Sequence, residues 1–250
     1  IKHADIRRIL MNMKAIIEGQ RSLAFWVSQQ IDVGLNHPNK KVKDSANDLV
    51  SLMTPVIKSF FTDMGMEITN DAIQVFGGYG YTKDQGIEQL FRDNRITPIY
   101  EGTNSIQAID LVYRKILNNK IFDKYISQIN EEIEKTAKNK NLSLFSGKLE
   151  KYIELLVNFT SWLEKKYSSS KDDVSSACND YLRVFGYVSL GYSWLKVLKI
   201  SHEKLQTNKD FYEDKINTAT YYFDKILPRV QSHYISAISG SESMMKTKFN

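Results

Sequence analysis

The chain has 250 residues, of which 42% are hydrophobic, so it can bury a sizeable core as one large domain or two modest ones. Its formal net charge of +5 comes from 34 basic and 29 acidic residues scattered along the sequence, which argues against a nucleic-acid partner. A single cysteine excludes a disulfide framework and a thiolate metal cluster within the chain, and it favours a reducing compartment such as the cytoplasm or an organellar matrix.

The longest apolar stretch covers residues 184–200 and is interrupted by serines and lysines. This pattern predicts a buried helix and no transmembrane segment. The sequence begins inside an amphipathic pattern, with neither an initiator Met nor a signal peptide. We therefore expect the chain to be part of a longer polypeptide.

Apolar residues at a spacing of three and four predict a first helix over residues 6–32. A second helix is predicted over 42–64, with a kink at Pro55 because proline removes one backbone hydrogen bond. A third helix is predicted over 67–76, and the glycine pair that begins at Gly77 is expected to end it.

The next segment is rich in residues that favour turns. A loop is predicted over 80–86 and a short helix over 87–93. Residues 94–101 are predicted to be extended, because Pro98 disfavours the helical conformation just before it. Glu101 is therefore expected at a junction between strand-like and helical backbone.

Thr103 or Asn104 can cap the helix that follows. Strand signals are nearly absent, so the predicted fold class is all-α. A boundary between two helical units is predicted near residues 118–122, which divides the chain into 1–118 and 119–250. Further helices are predicted over 122–138, 146–165, 174–206 and 210–239.

Three features between the third helix and this cap can carry chemistry, and each also has a structural interpretation. The glycines of 77–80 suit a pyrophosphate, but no strand precedes them, which excludes a Rossmann fingerprint and favours a simple helix stop. Arg92, Asp93 and Arg95 suit a phosphate, although local ion pairs are the favoured interpretation. Glu101, taken alone, is a carboxylate near a helix N-terminus.

Taken together, these features resemble the C-terminal signature of acyl-CoA dehydrogenases. The match runs from Gln74 to Gln107 and combines Gln-x-x-Gly-Gly-x-Gly-Tyr, Arg-Asp, and Ile-Tyr-Glu-Gly-Thr followed by Ile-Gln. The resemblance covers residues 1–117, and the segments 181–187 and 211–228 resemble the helical extension of longer, bacterial-type members such as methylthiopropanoyl-CoA dehydrogenases. It implies a helical bundle of this C-terminal type followed by a second helical extension.

The resemblance implies FAD-dependent oxidation of an acyl-CoA to a trans-2-enoyl-CoA. Glu101 matches the base that removes the α-proton, and burial in an apolar pocket would suit that role. Tyr100 is expected to line the acyl pocket, and Gly102 is expected to lie beside the thioester. The residues expected to contact FAD are Gln74, Val75, Phe76, Gly77 and Gly78, on the adenine-diphosphate part of a neighbouring subunit's FAD, and Thr103, Asn104 and Ser105, near the flavin.

The same resemblance implies an electron-transfer flavoprotein as electron acceptor and a homodimer or homotetramer. Because most flavin and acyl contacts in the family come from preceding domains, the chain by itself is expected to show little or no activity. No metal site is expected, since the four histidines lack ligand spacing, and Cys178 is expected to be a core residue. The alternative is a catalytically inactive helical interaction module derived from such an enzyme.

Overall fold

The computed structural model describes residues 1–118 and 121–249. Within these residues all regular structure is helical and no strand is present, which confirms the predicted fold class. Two π-helical segments, Asp110–Ile116 and Tyr222–Ile226, continue α5 and α9. The helices are α1 (Ala4–Asn36), α2 (Lys40–Phe76), α3 (Gly78–Tyr81), α4 (Ile87–Asn94), α5 (Asn104–Ile109), α6 (Ile121–Ala137), α7 (Ser143–Tyr167), α8 (Lys171–Glu203), α9 (Lys209–Tyr221), α10 (Arg229–Ile238) and α11 (Glu242–Met245).

Helix α8 lies at the centre of the molecule. Every residue of 184–195 is buried, and the helix contacts α1, α2, α7, α9 and α10. A helix that is apolar on all sides must be surrounded by other elements, which confirms the buried helix predicted for this stretch. The indole Nε1 of Trp194 donates to the carbonyl of Ala15 (3.1 Å), and the Tyr125 hydroxyl donates to Ser189 (2.9 Å). These bonds satisfy the buried indole N–H of Trp194 and the buried hydroxyl of Tyr125.

One contiguous hydrophobic core runs through both predicted halves of the chain, from Ala15 in α1 to Ala237 in α10. Cys178 is buried in this core, as predicted. The predicted boundary between two units falls partly on residues 119 and 120, which lie outside the described residues, and it stays a prediction. None of the helices in the described part of the chain combines the length and hydropathy needed to cross a bilayer.

The prediction of two separate helices over 42–64 and 67–76 is wrong, because one helix, α2, covers both ranges. Gly65 does not end it. A side chain at this position would lie 2.9 Å from the Asn94 amide oxygen, so the glycine lets the C-terminal end of α4 pack against α2. The helix continues through Pro55, and the kink there stays a prediction.

The prediction of extended backbone over 94–101 is wrong, because this segment forms successive turns. The Asn94 carbonyl accepts from the backbone N–H (3.0 Å) and the hydroxyl (2.8 Å) of Thr97, and the Ile96 carbonyl accepts from Tyr100 N–H (3.1 Å). Pro98 restricts only its neighbour, and these hydrogen bonds decide the local conformation.

Two smaller predictions also need correction. The loop predicted over 80–86 contains the end of the short α3 and a 3₁₀ turn, Lys83–Gln85. The single helix predicted over 210–239 is interrupted after its π-helical segment, and α10 begins only after Pro228. Proline has no N–H to continue the helical hydrogen bonds, but it is well accommodated at the start of a helix.

The adjacent pair Phe60 and Phe61 gives a matched test of the packing between α2 and α8. Phe60 is 0% exposed and makes an edge-to-face contact with Tyr187 (4.9 Å between centroids), whereas Phe61 is only partly buried. Phe60→Ala is therefore expected to lower the free energy of unfolding by about 3–5 kcal/mol, because it leaves a cavity at a helix crossing. Phe61→Ala is the control, and equal losses in denaturant titrations would contradict this packing.

Candidate active site

The loop that carries Glu101 lies against the middle of α2. The Lys58 ammonium donates to the Gly102 carbonyl (2.8 Å) and to the side-chain oxygen of Asn104 (2.8 Å). The side-chain amide of Gln107 donates to the carbonyl of Glu101 (3.1 Å). Two consecutive backbone carbonyls of the loop are thus held by side chains from α2 and α5.

Glu101 has a left-handed backbone conformation, with φ of 52°. It is the one non-glycine residue with positive φ in the described part of the chain, and such a conformation costs roughly 1–2 kcal/mol. Gly102 follows with φ of 84°, and Thr103 then caps α5 by accepting from the Ile106 N–H (3.4 Å). The cap prediction is confirmed for Thr103.

The side chain of Asn104 is turned into the protein and is 9% exposed. Its amide nitrogen donates to Asp63 (2.6 Å), to the Thr62 hydroxyl (3.0 Å) and to the Ser59 carbonyl (3.2 Å), and its oxygen accepts from Lys58. All of these hydrogen bonds join the loop to α2. The predicted contact of Asn104 with the flavin stays a prediction.

Glu101 itself is exposed in this chain, which differs from the predicted apolar burial. Large apolar side chains close to it in sequence are also open to solvent, and Tyr100 is 49% exposed. The others are Ile96, Ile99, Ile106 and Ile109. Clustered exposed apolar side chains are typical of surfaces that bind another part of the protein or a ligand.

Sequence reasoning missed Lys58, Thr62 and Asp63, which hold the loop. Partial burial lowers the pKa of Lys58, and the negative charges of Asp63 and Glu101 act in the opposite direction. The spacing of Lys58 and Thr62 places both on one side of α2, and this was the only sequence feature that could have indicated a shared contact. Nothing in the local pattern indicated which loop that side would face.

The glycine segment lies far from Glu101. Gln74 is sixteen residues beyond Lys58 on the same helix, which corresponds to about 24 Å at 1.5 Å per residue. Helix α2 ends at Phe76, and Gly77 has φ of 61°, so the predicted helix stop is confirmed. The structure therefore brings Tyr100, Gly102 and Asn104 to Lys58 at the middle of α2 and leaves 74–78 at the end of that helix. The Ser105 hydroxyl instead accepts from the side-chain amide of Asn179 on α8 (3.4 Å).

The charged residues after this turn form local pairs, although the pairing differs from the one predicted. Arg92 bonds to Glu88, one turn back on α4, and Gln89 donates to Asp93 (3.4 Å). This i, i+4 arrangement is a common way to stabilise a short helix. Among residues 1–118 and 121–249, no group of three potential metal ligands occurs.

Two family models together account for nearly the whole sequence. The model described as acyl-CoA dehydrogenase, C-terminal domain, matches residues 1–117, and the one described as acetyl-CoA dehydrogenase C-terminal like matches residues 129–248. The chain belongs to the acyl-CoA dehydrogenase family. The second match covers the part that the sequence predicted to be the helical extension.

Individual acyl-CoA dehydrogenases support this assignment. The 3-methylmercaptopropionyl-CoA dehydrogenase of Ruegeria pomeroyi is 38% identical over 48% of this chain and 20% of its own length. The broad-specificity linear acyl-CoA dehydrogenase of Mycobacterium tuberculosis is 28% identical over 92% of this chain and 40% of its own length. The chain thus spans at most two-fifths of these two curated relatives.

A solved acyl-CoA dehydrogenase has the same fold. The Bacillus anthracis enzyme, whose structure is a complex with FAD, matches 95% of this chain and 42% of its own, with a TM-score of 0.70 and 16% identity. At this identity the likeness shows the fold alone. It confirms the helical C-terminal architecture expected for the acyl-CoA dehydrogenase family.

Proposed function

We propose that this chain supplies the catalytic base and part of the FAD site of an acyl-CoA dehydrogenase. The observation that carries the proposal is the Glu101 loop, where an exposed carboxylate has a left-handed backbone conformation that Lys58 and Gln107 hold from both sides. A carboxylate whose backbone is strained and held at two successive carbonyls suits a group that must meet a substrate in one orientation.

In the proposed reaction, the bond between the substrate α-carbon and its hydrogen breaks and the Glu101 carboxylate takes up the proton. The electron pair of that bond forms the new double bond, and the β-hydrogen leaves with its own electron pair. FAD, when bound, supplies the acceptor for that hydride. Tyr100 lines the pocket for the acyl chain, and Gly102 leaves room for the thioester beside the base.

The glycine turn suits the proposed FAD contact. A Cβ added to Gly77 or to Gly78 would meet nothing within 4 Å, and the two residues and Gln74 are exposed. Their backbone is thus open to a phosphate group arriving from outside the chain. Because Gln74, just before this turn, lies about 24 Å along α2 from Lys58, we propose that the turn serves the FAD of a neighbouring subunit, as a homodimer or homotetramer requires.

Three further features belong to the same proposal. The exposed apolar side chains around Glu101 pack against preceding domains of the polypeptide, and the chain alone has little or no activity because half of a cofactor site binds weakly. An electron-transfer flavoprotein accepts the electrons. The lone buried thiol of Cys178 suits a cytoplasmic location, where cysteines stay reduced.

The alternative, a catalytically inactive interaction module, is not favoured. An interaction module derived from the enzyme would have no need to keep the strained backbone of Glu101, and strain without a function tends to be relieved. The match to the family over both halves of the chain also supports the enzyme.

The proposal is tested with the complete polypeptide that carries this chain, purified with FAD. It is expected to convert linear acyl-CoAs to trans-2-enoyl-CoAs in the presence of an artificial electron acceptor, with the product identified by mass spectrometry. The chain of residues 1–250 alone is the comparison, and we expect it to be inactive. An FAD-loaded complete polypeptide that oxidises no acyl-CoA of any length would overturn the proposal.

A further inference from the structure

The helical extension reaches the Glu101 loop through a continuous series of side-chain contacts. Arg183 of α8 donates to one carboxylate oxygen of Asp63 (3.0 Å), and the other oxygen accepts from the Asn104 amide (2.6 Å). Asn104 in turn accepts from Lys58, which also binds the carbonyl of Gly102. Arg183 and Asp63 are 120 residues apart in sequence, so only the packing of α8 on α2 brings them together.

We infer that Arg183 is a positioning residue for Glu101, and that the extension therefore contributes to the catalytic site. The inference rests on the proposed function and concerns how the same catalytic base is held in position. Asp63 and Lys58 both lie on α2, carry opposite charges and attract each other. Arg183 holds the Asp63 carboxylate toward Asn104, and Lys58 is left free to bind the loop carbonyl.

Loss of Arg183 would release this arrangement. The Asp63 carboxylate would then be free to pair with Lys58 and draw it away from Gly102, and Asn104 would lose its shortest hydrogen bond. Of the two side-chain hydrogen bonds to the carbonyls of Glu101 and Gly102, the turn would then keep only the one from Gln107. A charged network of this kind couples its members more strongly than the separate pairs would.

Arg229 of α10 provides a matched control. It pairs with Glu67 on α2 (3.1 Å), as Arg183 also does at 3.7 Å, but the described contacts of Arg229 do not include Asp63. Arg229→Met therefore removes an ion pair between the extension and α2 without removing the support of Asp63. Any change that follows merely from weaker docking of the extension should occur in both variants.

The first measurement is hydrogen exchange of the complete FAD-bound polypeptide, read on peptides covering 98–107. Two backbone N–H groups report on the loop, because Tyr100 donates to Ile96 and Asn104 donates to Pro98 (3.0 Å). Arg183→Met is expected to speed their exchange by about tenfold, with the remaining helices unchanged. Arg183→Lys, which keeps a donor for Asp63, is expected to restore most of the protection.

The second measurement is steady-state kinetics with an acyl-CoA substrate. Arg183→Met is expected to lower kcat by about three- to tenfold with KM within about twofold, since the base is displaced and the substrate contacts remain. Arg229→Met is expected to change neither. Should Arg183→Met fail to fold, Asp63→Asn removes the same ion pair from the other side and must show the same local exchange.

Unchanged exchange over 98–107 in Arg183→Met, or an equal change in Arg229→Met, would overturn the inference. The exchange measurement does not depend on turnover, so it tests the positioning even if Glu101 is not the base. Faster loop exchange in an enzyme whose Glu101→Gln variant keeps full activity would overturn the proposed function and leave the coupling intact. Loss of activity in Glu101→Gln with no effect of Arg183→Met would support the proposed function and overturn the inference about Arg183.

Discussion

Glu101→Gln in the complete FAD-bound polypeptide is expected to lower kcat by about 10²- to 10⁴-fold, the range typical for removal of a general base. Glutamine keeps nearly the same shape, and it retains the backbone contacts from Lys58 and Gln107 because these reach carbonyls and not the side chain. The amide cannot accept the α-proton at any working pH. Steady-state oxidation of an acyl-CoA measures the effect.

The controls for this variant are measurements of its FAD content, its stability and its affinity for the substrate. FAD content, the midpoint of thermal unfolding and affinity for the acyl-CoA are expected to stay close to those of the parent, because Glu101 is exposed and contributes little to the core. Full activity in Glu101→Gln would remove Glu101 from the reaction. A variant that loses turnover but keeps the protein's role in its cell would instead favour the interaction module.

Gly102→Val is expected to lower kcat/KM by about 10²-fold, with a much smaller effect on folding. Gly102 has φ of 84°, which a β-branched residue adopts only with strain, and a Cβ there would lie 3.3 Å from the Gln107 amide nitrogen. The new side chain would shift the amide that holds Glu101 and would occupy the space proposed for the thioester. Displacement of a base by about 1 Å is enough for a loss of this size.

Gly86→Val separates backbone strain from damage to the site. Gly86 has φ of 68°, is exposed, and would meet nothing within 4 Å if it carried a Cβ. Both variants are expected to lose about 1–2 kcal/mol of unfolding free energy, measured in denaturant, because each forces a side chain into the left-handed region. Only Gly102→Val should lose activity, and equal kinetic losses would contradict the special position of Gly102.

The local features of the fold followed from the sequence. The spacing of apolar residues predicted the helices, with each end of α1, α4, α6, α7 and α8 within four residues of its observed position. Thr103 was one of two predicted caps, and Gly77 was the predicted stop of the helix over 67–76, which is the C-terminal part of α2. Such signals act within one or two turns of the chain, so they can be read without knowing the neighbours.

Predictions failed where packing or hydrogen bonds that propensity does not describe accompany the local conformation. Gly65 lies inside a long helix at a point where Asn94 packs against it and a side chain would clash. The turns before Glu101 are a different case, because their carbonyls accept from donors three and four residues away that a propensity argument does not weigh. The burial expected for Glu101 is also absent from this chain. Burial depends on all surfaces that meet at a site, and a single helical region provides only part of them.

The sequence by itself determined the family, the all-α class and the segment for which we propose the chemistry, because a motif with fixed spacing from Gln74 to Gln107 can be recognised without a structure. Only the tertiary structure decided which groups hold Glu101 in place. Lys58 meets the loop 44 residues away, and Arg183 meets Asp63 120 residues away, through helix packing that no local pattern encodes. Side-chain contacts across packed helices depend on the rotation and position of each helix in the shared core, which is a property of the whole chain.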